Sequence, residues 1–225
     1  MNKQKVIIVG TGETADIAYE YFIHDGLVEV VAFSINAKYK TNDTYLELPL
    51  VAIEDLLKIY PSEDYMVFVA ISSGKLNRNR QYVYEQIKSL GYRCISYISP
   101  KAFVWRTAKI GENCFIFENN VIQHGVEIGN NVILWSGNHI GHQTKIRDNV
   151  FISSHCVISG YCDIGENSFL GVNATFADHV KVERDCFIGM GSVISKNIPE
   201  NSLVVPARSE IVKIKTARQI CKVLD

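Results

Sequence analysis

From Ile98 onward every sixth residue of this chain is apolar: Ile98, Val104, Ile110, Ile116, Ile122, Ile128, Leu134, Ile140, Ile146, Ile152, Ile158, Ile164, Leu170, Phe176, Val182, Ile188 and Ile194. With 47% hydrophobic residues placed independently, such a run arises with a probability of roughly one in 10⁵ even after allowing for six phases. Two residues before nearly every member of the series stands something small, as at Ala108, Cys114, Asn120, Val126, Thr144, Cys156, Cys162, Ser168, Ala174 and Cys186. A large inward residue alternating with a small one describes short strands joined by tight corners. Three strands make one coil of a triangular prism, and stacked coils lie about 4.8 Å apart. Glycines follow the large position at Gly111, Gly129, Gly141, Gly165, Gly171 and Gly189, where corners are expected to need unusual backbone angles.

The preceding stretch has another rhythm. Strands are expected at Lys5 to Val9, Val28 to Phe33, Tyr65 to Ile71 and Arg93 to Ile98, and helices at Thr14 to Ile23, Ile53 to Tyr60 and Asn79 to Leu90. Alternating strands and helices imply a parallel sheet with both faces covered. The expected organisation is an α/β Rossmann-like domain over 1–97, a β-helix over 98–198 and an exit strand with cap over 199–225. The cap is placed at Lys213 to Leu224, since the end of a β-helix must be covered against edge pairing.

Lys plus Arg total 23 against 24 Asp plus Glu, so no bulk charge draws the protein to nucleic acid or an anionic membrane. The apolar stretch of MNKQKVIIVG is too short for a signal-peptide core or a membrane span, which reads as cytoplasmic. Of the six cysteines, Cys114, Cys156, Cys162 and Cys186 take the small inward position, so packing rather than catalysis or metal binding is expected of them.

The repeats Ile110-Gly111-Glu112-Asn113, Ile128-Gly129-Asn130-Asn131 and Ile164-Gly165-Glu166-Asn167 resemble those of the hexapeptide-repeat acyltransferases. That resemblance implies a left-handed parallel β-helix, a homotrimer, and acetyl-CoA lying between neighbouring prisms, with Gly160 and Val172 as its contacts. Together with an α/β domain opening on Val9-Gly10-Thr11-Gly12-Glu13-Thr14-Ala15, it narrows to the nucleotide-sugar N-acetyltransferases, alongside the sialic-acid O-acetyltransferases. The implied substrate is a dTDP- or UDP-linked 4-amino-4,6-dideoxyhexose. The alternatives are a 3-amino nucleotide sugar or O-acetylation of a sialic acid. Val204-Val205-Pro206-Ala207 resembles the exit strand on which the adenine of CoA lies.

Such a reaction needs a group that takes a proton from the attacking amine, and a neutral imidazole suits that task near neutral pH. A corner N–H would stabilise the oxyanion. The resemblance places the base in His142-Gln143-Thr144-Lys145-Ile146, with Gln143 standing where a carboxylate usually follows the histidine and Phe151 where a second histidine is common. His155 and His139 are the runners-up, and His124, eighteen residues before His142, is expected to stack against it. A zinc hydratase of the same architecture needs two histidines about five residues apart. The gaps from His124 to His179 are 15, 3, 13 and 24, so no metal is expected.

Gly10-Thr11-Gly12-Glu13-Thr14-Ala15 follows the first strand as a phosphate-approaching turn does. Phe33-Ser34-Ile35-Asn36 offers no acid for a ribose, which disfavours NAD. The resemblance assigns the sugar nucleotide to Gly10, Gly12, Thr14, Asn36, Ser72, Ser73 and Lys75. Lys75, Arg78 and Arg80 read as a positive cluster that either meets a diphosphate or is simply solvated.

Overall fold

The computed structural model describes residues 3–26, 28–207, 209, 211 and 216–220. Strands β1 (Gln4–Val9), β2 (Val28–Ile35), β3 (Thr44–Tyr45), β4 (Leu48–Ala52), β5 (Met66–Val69) and β6 (Arg93–Cys94) form one sheet in the order β3-β4-β2-β1-β5-β6. Helices α1 (Glu13–Asp25), α2 (Leu56–Ile59) and α3 (Arg78–Ser89) complete the domain. All pairings are parallel except the β3–β4 hairpin. Along β1 the side chains alternate: Val6 and Ile8 pack with Ala15, Ala18 and Phe22 of α1, while Ile7 and Val9 pack with Leu56, Val83 and Ile87. Two expectations need correction. The hairpin was missed because Pro49 interrupts its apolar run. Arg93 to Ile98 is not one strand, for Arg93–Cys94 joins the sheet whereas Tyr97–Ile98 begins the prism.

From Tyr97 on, two-residue strands pair in parallel with the strand eighteen residues later, as Phe115 with Ile133 and Val121 with His139. The result is a parallel β-helix with three sheets. The series expected to point inward forms one continuous core from Ile116 through Ile194, with Ile98, Val104 and Ile110 partly buried at the first coil. The four inward cysteines are buried, and the thiols of Cys114, Cys156, Cys162 and Cys186 each donate to a corner carbonyl of the next coil at 3.1–3.2 Å. Burial pushes the Cys114 and Cys156 thiols up to about 11, which removes the thiolate that nucleophilic chemistry would need.

The glycines at the corners act by another route than expected. The left-handed residue of a corner comes later, at Asn113, Asn131, Gln143, Asn149, Tyr161 or Asn167, all with φ near +60°. Asparagine dominates because it tolerates this conformation better than other side chains. Gly111 and Gly141 have ordinary φ but lie against the next coil: a Cβ would stand 2.6 Å from Gly129 O in the first case and 2.5 Å from Ser159 C in the second.

The outward residues give the three faces different chemistry. The first face carries Phe115, Ile133, Phe151 and Phe169, and the α/β domain packs on it through Phe22 and Phe68. Phe22, Phe68 and Phe115 are fully buried there, and each contributes roughly 1.5–3 kcal/mol. The third face carries Lys109, Glu127, Lys145, Asp163 and Lys181, charges that alternate in sign from coil to coil as cross-strand partners prefer. The second face carries Phe103, Val121, His139, Val157, Thr175 and Val193; Phe103 is 52%, Val157 42% and Val193 81% exposed.

Polar contacts fix where the α/β domain sits on the prism. Asn113 Oδ1 accepts from Val69 N–H at 2.7 Å, and its amide heads a buried ladder through Asn131 and Asn149. Tyr84 and Lys88 of α3 donate to Glu112, and Tyr21 of α1 and Ser136 donate to Glu118. Arg80 corrects the reading of a positive surface cluster: it is fully buried, and its guanidinium donates to the carbonyls of Ser72, Asn131 and Asn149. Desolvation pushes its pKa down to about 9. Arg78 pairs with Asp185, which leaves Lys75 alone of the three on the α/β cavity.

Leu203–Val204 pairs with Phe187–Ile188 and so extends the first face. The cap expected at Lys213 to Leu224 falls mostly outside the described residues, within which Ala217–Ile220 is one short helical turn. Among the described residues no helix is long and apolar enough to cross a membrane.

Candidate active site

The turn after β1, the end of β2 and the loop after β5 converge on a cavity of about 780 Å³. Six of the seven expected substrate contacts line it: Gly10, Gly12, Thr14, Asn36, Ser72 and Lys75; Ser73 does not. The two turn glycines are there for different reasons. Gly10 has φ +133° and its Cβ would lie 2.6 Å from Ala70 O, so the chain itself demands it. Gly12 caps α1 with φ −113° and would place a Cβ in open space. Nothing in the protein requires a glycine there, whereas a ligand approaching the first N–H groups of a thirteen-residue helix would.

Lys38 and Lys75 bring positive charge to the cavity and Glu13 opposes them. The Asn36 amide donates to Gln86 Oε1 at 3.0 Å and is thereby oriented by α3. Lys75, Leu76 and Asn77 are all left-handed, with φ of 53°, 50° and 65°. This costly turn is held from the prism side, where Asn77 donates to the carbonyls of Asn167 and Ser168. Trp135, on the corner between the first and second faces, also lines the cavity, and sequence reasoning missed it.

His142 lies elsewhere, on the corner between the second and third faces, and is exposed. Its backbone N–H donates to Gln123 Oε1 at 2.9 Å, and its ring lies on Gly160 of the next coil, where an added Cβ would stand 2.6 Å from Cε1. Tyr161 meets the ring edge-on, and His179 stacks on Tyr161 at 4.9 Å. Among the described residues neither ring nitrogen of His142 has a hydrogen-bond partner, so both are open to solvent or substrate. The Gln143 amide lies over Gly125 instead of bonding the ring. His124 occupies the equivalent corner one coil earlier, but its Nδ1 shares a 2.8 Å hydrogen bond with Thr107 Oγ1.

Gly160 therefore belongs to the His142 corner, and its N–H donates to Asp178 Oδ1 at 2.8 Å. Val172 is on the opposite edge of the second face, at the corner that also carries Trp135 and His155. His139 sits in the middle of that face, between Val121 and Val157. One chain thus brings together the expected nucleotide contacts but keeps them apart from His142.

Residues 94–204 match a family model described as the GMPPB C-terminal domain. No curated protein sequence matches the chain. Among solved structures, the acetyltransferase domain of PglB from Neisseria gonorrhoeae superposes with a TM-score of 0.78 at 23% identity, over 89% of this chain and 95% of that one. A perosamine N-acetyltransferase from Caulobacter crescentus, in complex with CoA and GDP-perosamine, also gives 0.78, at 24% identity over 88% and 92%. WeeI from Acinetobacter baumannii gives 0.64 at 15% identity over 90% and 97%. The chain shares their fold. It is an α/β domain joined to a left-handed parallel β-helix, and both parts fall within the matched region.

Proposed function

We propose that the chain is an acetyl-CoA-dependent N-acetyltransferase acting on the amine of a UDP- or dTDP-linked 4-amino-4,6-dideoxyhexose in the cytoplasm. Residues 1–97 bind the nucleotide, 98–198 carry out acyl transfer, and the exit strand follows at Leu203–Val204. The observation that carries this reading is the joint presence of a glycine turn whose Gly12 has no steric reason of its own and a solvent-open imidazole on a glycine-floored corner. The neighbouring structures support it, since one holds CoA with GDP-perosamine and another acetyl coenzyme A.

In the reaction the sugar amine attacks the thioester carbonyl carbon. His142 accepts a proton from the amine; the C–S bond then breaks, and the CoA sulfur leaves with that proton as a thiol. Inward cysteines with raised pKa favour this direct route over an acyl-enzyme. The separation of the cavity and His142 onto different corners supports a working unit, a homotrimer in this proposal, in which the apolar second face is covered by another copy. That arrangement would bring the cavity of one subunit toward His142 of the next, with acetyl-CoA between them against Gly160 and Val172.

The test is release of CoA thiol with UDP-, dTDP- and GDP-linked 4-amino sugars and with a hydroxyl acceptor such as a sialic acid. His142→Asn should lower kcat by about 10²-fold or more while melting temperature and nucleotide affinity hold. Full transfer by this variant, or transfer to the hydroxyl acceptor alone, overturns the proposal.

A further inference from the structure

We infer that Trp135 is the specificity-determining residue for the sugar, an inference that rests on the function proposed above. Trp135 is the one residue of the β-helix on a cavity otherwise lined by the α/β domain. A nucleotide anchored at Gly10 and Gly12 fills the α/β side, so the group it carries is the part directed at the prism. What it meets there is a large flat apolar surface.

That surface is held unusually firmly. The indole lies parallel on Phe117, ring centroids 4.5 Å apart and planes within 7°. Phe117 in turn stacks on Phe115 at 4.2 Å. The Trp135 backbone N–H donates to Ile152 O, and its backbone carbonyl accepts from the amides of both Asn120 and Asn138. The indole N–H has no partner among the described residues, yet it is not among the buried unpaired atoms, so it is open to the cavity or to solvent. A rigid ring of this kind discriminates by what it leaves unpaired. A methyl group on the ring-facing edge of a sugar packs on it, whereas a hydroxymethyl group over the ring face would lose water around its O–H and gain no acceptor, since an indole offers a donor at its edge and no acceptor at all. Trp135 therefore selects a 6-deoxy sugar over its 6-hydroxy counterpart.

The sequence contains two tryptophans, so Trp105→Phe leaves Trp135 as the only indole. In that variant, emission should change when a UDP-, dTDP- or GDP-linked 4-amino-4,6-dideoxyglucose binds, and change far less with the matching nucleoside diphosphate. In parallel, the ratio of kcat/KM for the 6-deoxy over the 6-hydroxy amino sugar should fall by about tenfold or more in Trp135→Gln, and Trp135→Phe should restore most of it. Affinity for the nucleoside diphosphate, measured by calorimetry, should stay within about twofold in both variants, well below the tenfold that 1.4 kcal/mol makes. If calorimetry shows sugar-nucleotide binding but emission and ratio stay unchanged, this inference is wrong and the proposed function stands. If no nucleotide or sugar nucleotide binds, both fall.

Discussion

Tyr161 stands edge-on to His142, with ring centroids 5.0 Å apart and planes at 86°, while Gly160 beside it forms the floor of the same ring. The contact uses the edge and face of the tyrosine, not a hydrogen bond, so the phenol oxygen is dispensable. Tyr161→Phe should keep kcat within about twofold, and Tyr161→Ala should lower it several-fold, because an edge-to-face pair is worth only about 0.5–1.5 kcal/mol. Gly160→Ala is harsher. Its Cβ would collide with the imidazole, and a base displaced by about an ångström costs on the order of 10²-fold in rate. Circular dichroism and melting should show all three variants folded.

The second face predicts assembly. A row of exposed Phe103, Val157 and Val193 on an otherwise regular sheet should be covered in solution. Sedimentation should give a trimer for the wild type and a smaller species for Val157→Glu. Acetyl transfer should be lost with the trimer, while nucleotide binding, confined to one α/β domain, should persist.

Arg80 holds four backbone carbonyls, of Ser72, Asn131, Asn149 and Val150, that lie on both sides of the domain junction. Arg80→Met fits the space but leaves those acceptors bare, at a cost of about 1–3 kcal/mol for each that water does not reach. The midpoint of urea unfolding should fall accordingly. Arg80→Lys, with one ammonium in place of a planar fork, should recover only part of the loss.

Glu112 makes the junction sensitive to acid. Burial alone would raise its pKa, but donors from Lys88, Tyr84 and the Cys94 N–H outweigh that and hold the carboxyl below its usual range. A depressed carboxyl pKa adds stability that is fully present above the unfolded-state value and disappears as pH falls through the folded one. Melting temperature should therefore drop on acidification below about pH 4.5, the ordinary carboxyl range. Glu112→Gln should be less stable at pH 7 and show a shallower acid limb; an unchanged limb would count against the assignment.

The period of six placed the inward core because inward packing repeats in the sequence itself. The outward residues carry a period of eighteen that was equally readable, with aromatics at Phe115, Phe151 and Phe169 and alternating charges from Lys109 to Lys181. Read that way, the face that receives the α/β domain would have stood out. Arg80 was not recoverable by such means. On its own helix it is one charged residue in a polar run, and only the carbonyls of a remote corner make its burial tolerable. Trp135 was hidden for a similar reason, since its neighbours in the cavity come from residues 10–83. The glycine turn and His142 were visible as motifs, whereas their separation onto different corners depended on how coils stack.

The ladder from Asn113 through Asn149, with Asn77 clasping the coil beyond it, acts as a ruler with eighteen-residue graduations. Inserting or deleting a coil within that span would slide the docked domain by one whole step along the prism and break the matching of its Gly12 to Trp135 and His142 together. The most distal of the ties described above is that of Arg78 to Asp185. Variation in length is therefore expected to accumulate at the distal end, in complete turns, with the upstream geometry left untouched.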